Sequence, residues 1–156
     1  NTVCLVPEKR EEISTEGGLN VVAQESVISS IVARLLDAGI QTSLFIDPES
    51  AQIEAAQRSG ATFIELHTGA FANAYYGPEG EPEARRLEAA AELGQRLALV
   101  VNMGHGINYT NIERMRGIPG IYEMNIGHSI VSRSLITGIG EAVREMKARM
   151  NEELPR

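Results

Sequence analysis

Apolar residues in this chain fall into five short continuous runs, and the stretches between them carry apolar positions three or four residues apart. The runs are Val3–Val6, Thr42–Ile46, Thr62–His67, Leu97–Met103 and Ile121–Ile126. They are rich in β-branched residues and predict strands. Being continuous and not alternating, they predict strands covered on both faces. Val27, Ile31, Leu35 and Ala38 repeat at helical spacing within a helix predicted over 21–38, which Gly39 ends. Asp47-Pro48-Glu49 predicts the next helix start, with Asp47 as N-cap and Pro48 as first helical residue, running to Ser59-Gly60. A third helix is predicted over Glu83–Arg96, and a short one opens near Thr110 or Asn111. The last runs from Ser129 to about Arg149, where Lys147 and Arg149 suit the negative end of the dipole.

Strand and helix therefore alternate five times without a linker, which predicts one α/β domain over residues 1–156 with parallel strands. An open doubly wound sheet and part of a (β/α)8 barrel both fit this pattern. The segment Gly69–Pro82 reads as the one long, turn-rich connection. It follows a strand at its carboxyl end, where functional loops gather in either architecture.

At 156 residues the chain is long enough to bury a real core. Its formal charge of −7 argues against a general nucleic-acid or anionic-membrane surface. No apolar run approaches the roughly 20 residues of a spanning helix. The lone cysteine, Cys4, excludes an intrachain disulfide and a multi-cysteine zinc site, and fits a reducing compartment. It reads as a small hydrophobe packed in a strand. Asp37 and Asp47 are the only aspartates among 21 acidic residues, so most of the negative charge sits on glutamates that decorate helices.

All three histidines lie at carboxyl ends of predicted strands: His67 in FIELHTG, His105 in VNMGHG and His128 in MNIGHS. Parallel α/β proteins collect catalytic groups at this edge, and histidine passes protons near neutral pH. His105, flanked by Gly104 and Gly106, is the strongest candidate. Gly127-His128 ends the last strand and opens the last helix, where backbone amides and the helix dipole favour an anion. If the last two runs are strands 7 and 8 of a barrel, Gly106 and Gly127-His128 stand where such barrels bind phosphate. Glu65 is two residues before His67, so both side chains share one face. A carboxylate there is either an ion-pair partner or an orienting acid. Two such residues without a third do not make a metal site.

Together these segments resemble the pyridoxine 5′-phosphate synthase family. The stretches that carry the resemblance are CLVPEKREEISTEGGLNV (4–21), DAGIQTSLFID (37–47), GATFIELHTG (60–69), VNMGHGINYTN (101–111) and YEMNIGHSIVSRSLITGIGEAVREMK (122–147). The resemblance implies a (β/α)8 TIM barrel of which this chain supplies strands 4 to 8, so a longer native protein is expected. It implies condensation of 3-amino-2-oxopropyl phosphate with 1-deoxy-D-xylulose 5-phosphate to pyridoxine 5′-phosphate, by acid–base chemistry without cofactor or metal.

His105 then corresponds to the proton donor and Glu65 to a supporting carboxylate. Gly106, Gly127 and His128 correspond to the aminoketone-phosphate site, and Ser14 stands where the family has a threonine that contacts the deoxyxylulose phosphate. The family's other acid–base residues, a His and a Glu, belong to the first three strands. The implied partners are small phosphorylated substrates and further copies of the chain, in the cytoplasm. Two other readings are a non-catalytic phospho-ligand-binding module and a receiver domain, for which Asp47 is the sole acceptor candidate.

Overall fold

A computed structural model describes residues 1–7 and 17–152. Five strands, β1 (Thr2–Leu5), β2 (Gln41–Ile46), β3 (Phe63–His67), β4 (Val100–Gly104) and β5 (Ile121–Asn125), form one sheet in the order β1-β2-β3-β4-β5. Every pairing is parallel. A doubly wound sheet reverses its strand order at a switch point, and this sheet does not. The sequential order is that of consecutive βα units of a (β/α)8 barrel, which decides between the two architectures open to the sequence.

The helices are α1 (Glu25–Asp37), α2 (Ser50–Arg58), α3 (Gly69–Ala74), α4 (Gly80–Arg96), α5 (Ile112–Met115), α6 (His128–Thr137) and α7 (Ile139–Asn151). Among the described residues none is long and apolar enough to cross a membrane. Leu44, Ile46, Ile64, Leu66, Val101 and Met103 are almost wholly buried and point from the central strands toward the helices. Gly94 of α4 shows how close that packing is, since a side chain there would strike Ile64 and Val101. The opposite face carries Ser43, Phe45, Glu65, His67 and Asn102 in register across β2, β3 and β4.

Several elements depart from the sequence pattern. The helix predicted from residue 21 opens as one 3-10 turn, Val22–Gln24, before α1. Its buried stripe is Ile28 and Val32, while Val27 and Ile31 are exposed, so the packed face is rotated by one position. The second helix starts at Ser50 with Glu49 as its N-cap, and Asp47 does not cap it. The strand predicted over 97–103 begins at Val100, because Leu97 caps α4.

Gly69–Pro82 is not a loop but contains α3 and the first turn of α4, with 75–79 between them. Phe71, 1% exposed, anchors α3. Pro82 falls in the first turn of α4, where its missing N–H costs no helical hydrogen bond. The last helix starts one residue earlier than predicted, at His128, and breaks at Gly138. With φ +81° and ψ 150°, that residue adopts a conformation open essentially to glycine alone.

Candidate active site

The carboxyl ends of the strands surround a cavity of about 350 Å³. His105, Gly106, Gly127, His128 and Glu65 all line it, together with Cys4, Phe45 and Asn125. Five of the six residues to which the family resemblance gives a role thus share one space, although 62 residues separate Glu65 from Gly127. The sixth, Ser14, lies outside the described residues.

His105 follows β4 immediately and holds φ +77°, a left-handed backbone that L side chains seldom adopt. Thr68, fully buried, fastens it: its hydroxyl lies 2.8 Å from the Gly104 carbonyl and also within hydrogen-bond reach of the His105 carbonyl. The backbone N–H of Thr68 donates to the same Gly104 carbonyl at 2.9 Å. On the far side, the Asn111 amide donates to the Gly106 carbonyl at 3.0 Å, and Asn111 Oδ1 accepts from the Asn108 N–H at 2.8 Å. The histidine's backbone is therefore held from both sides by buried side chains. Strain of this kind persists only where the surroundings over-determine it.

The rings of Phe45, His67 and His105 cluster at the top of β2, β3 and β4, with His67 and His105 edge-to-face at 5.0 Å between centroids. His67 also meets Asp47, whose Oδ1 is 2.9 Å from Nδ1. The period-of-two argument for Glu65 and His67 holds, since both project from the inner face of β3. Among the described residues no three His, Cys, Asp or Glu side chains converge as metal ligands would.

Glu65 lies lower in the cavity. Asn125 donates to its Oε2 at 2.7 Å, and Cys4 Sγ is 3.9 Å from the same oxygen. Burial holds its carboxyl above the ordinary range, against the opposing pull of the Asn125 hydrogen bond. Cys4 does not pack as a buried hydrophobe: it is exposed to the inner face. The protein wall around it, then the charge of Glu65, pushes its thiol up to about 11. A thiol with that value stays protonated at neutral pH and donates to the carboxylate.

α6 points its amino end into the same cavity, with Gly127 as N-cap and no side-chain cap on the first amides. Free N–H groups and the positive dipole end suit a negatively charged group. Ser129 Oγ donates to the Ile107 carbonyl at 2.8 Å, tying this first turn to the His105-Gly106 loop.

Comparison with known proteins bears on this arrangement directly. The family described as pyridoxal phosphate biosynthesis protein PdxJ matches residues 1–152. The chain belongs to this family. Curated relatives named pyridoxine 5′-phosphate synthase include those of Akkermansia muciniphila, 57% identical over 93% of this chain, and Opitutus terrae, 55% identical over 96%. That of Thioalkalivibrio sulfidiphilus is 53% identical over 95%. The chain spans 59–61% of the length of these three relatives. Membership agrees with the barrel-type order of the sheet.

Sequence reasoning missed two participants in this geometry, Asp47 and Thr68. Asp47 reads as a helix cap because Asp-Pro-Glu fits one, and Thr68 carries no signal of its own. The visible clue to Asp47 was its place at the end of a strand neighbouring the one that ends in His67.

Proposed function

We propose that this chain carries part of the active site of a pyridoxine 5′-phosphate synthase, joining 3-amino-2-oxopropyl phosphate to 1-deoxy-D-xylulose 5-phosphate. The supporting observation is the single cavity that gathers His105, Glu65, Gly106, Gly127 and His128 at the carboxyl ends of the strands. In this reading the amides that open α6, with Gly106 and His128, hold the phosphate of the aminoketone. His105, fixed in a strained backbone, delivers and recovers protons as water and phosphate leave, and Glu65 orients the reacting group from below. Ser14 takes the phosphate of the deoxyxylulose substrate. The reading also places the protein in the cytoplasm, as an assembly of several copies.

The test is a phosphate-release assay on the full-length gene product supplied with both substrates. Turnover that falls by about 10²–10⁴-fold in His105→Ala, the usual worth of one acid–base group, supports the proposal. Phosphate binding without any turnover in the unmodified protein replaces the enzyme with a binding module.

A further inference from the structure

Asp47 and His67 have no part in the reading above, yet they stand beside its proton donor. The His67 side chain is 9% exposed, and Nδ1 lies 2.9 Å from Asp47 Oδ1. An ionised carboxylate can only accept, so Nδ1 carries the proton and donates it. In the neutral ring Nε2 is then an acceptor, and it is buried without a hydrogen-bond partner among the described residues. This nitrogen faces Gly69, where an added Cβ would collide with it, and the same Cβ would sit 3.4 Å from His105 Cδ2. Glycine at 69 thus keeps the two imidazoles in contact. Phe45 closes the cluster, with ring centroids 5.1 Å from His67 and 6.5 Å from His105.

We propose that Asp47 and His67 form a positioning dyad for His105, in which the carboxylate fixes the His67 tautomer and the ring so held orients His105 and favours its protonated form. The carboxylate adds negative charge on that side, and a neutral aromatic ring against an imidazolium is an attractive contact. Among the described residues, those that share the cavity with His105 include Phe45 from β2, Glu65 from β3, Cys4 from β1 and Asn125 from β5, with His128 from α6. Glu65 acts in the same sense when ionised, Cys4 stays neutral, and a protonated His128 acts in the opposite sense. α3 contributes Gly69 and Ala72, which carry no charge.

The inference rests on His105 as proton donor, but its first readout is the ring nitrogens and not turnover. Nitrogen-15 NMR of the histidine-labelled, full-length gene product is expected to show, in the neutral form of His67, the proton on Nδ1. Asp47→Asn offers a donor as well as an acceptor and removes the charge. It is expected to lower the His105 titration midpoint by about half a unit. The kcat at pH 8 falls about threefold with KM within twofold, and the alkaline limb of the kcat profile moves to lower pH, because less His105 is protonated there.

His67→Asn keeps an N–H for Asp47 but removes the ring, and is expected to lower kcat without disturbing KM. A His67 proton on Nε2, or a His105 midpoint unmoved by Asp47→Asn with kcat retained in both variants, overturns the dyad. Turnover that survives His105→Ala overturns the function instead.

Discussion

The two faces of this sheet divide the work of the protein between alternate residues of the same strands. On β3, Ile64 and Leu66 point toward the helices and are wholly buried, whereas Glu65 and His67 point to the inner face. On β4, Val101 and Met103 pack against helices while Asn102 faces inward. The outer face is uniform in chemistry and close in packing. The inner face mixes a thiol, hydroxyls, amides, a carboxylate and imidazoles. Parity along the strand thus assigns a residue to stability or to chemistry, and neighbours in sequence can be under unrelated demands.

Substitutions on the two faces should therefore fail in different ways. His105→Ala is expected to give the largest effect, a loss of about 10²–10⁴ in turnover, with a melting temperature close to that of the parent, since alanine meets the same left-handed backbone as histidine. An equally large drop in thermal stability would mean that the inner face holds the fold together too. Leu66→Ala should do the reverse: unfolding free energy falls by about 2–5 kcal/mol in denaturant titration, while kcat of the protein that remains folded is unchanged.

Glu65→Gln probes the mixed case. The folded carboxyl titrates above its ordinary value, so the folded state binds more protons than the unfolded one in the window from 4.5 upward. Stability therefore declines as pH rises through that window, and glutamine removes the decline. The variant is expected to melt a few degrees higher at pH 7 and at the same temperature as the parent at pH 4. The smallest effect is chemical. With a thiol at about 11, Cys4 should react with iodoacetamide at pH 8 at least tenfold more slowly than an ordinary exposed cysteine, and Glu65→Gln should speed it. A fast reaction in the parent would show that the inner wall shields nothing.

What the sequence made legible follows the same division. The apolar runs located all five strands, because burial on the helix side and β-branched composition act locally. The histidines and glycines at strand ends located most of the cavity lining, since topology alone brings those ends together. Less legible was anything set by a distant partner. Asp47 looks like a cap until β3 places His67 beside it, and Cys4 looks like a hydrophobe until Glu65 lies across the inner face. The 69–82 segment misled for another reason: Gly69, Gly80 and Pro82 sit at helix starts, where they are tolerated, only Gly77 and Pro78 fall in the connection, and Phe71 supplies an anchor that turn-residue counting overlooks.

Sequential strand order has a consequence for how the protein comes into being. Each strand after the first pairs with the one made just before it, so a chain emerging from the ribosome can add its units one at a time. The imidazole cluster is then complete once β4 is laid down, but the uncapped amides that open α6 arrive only after β5. The apolar layer behind β2, β3 and β4 can form before the cavity closes, although Met146 of α7 joins the core last. During synthesis the molecule has a fold before it has a pocket.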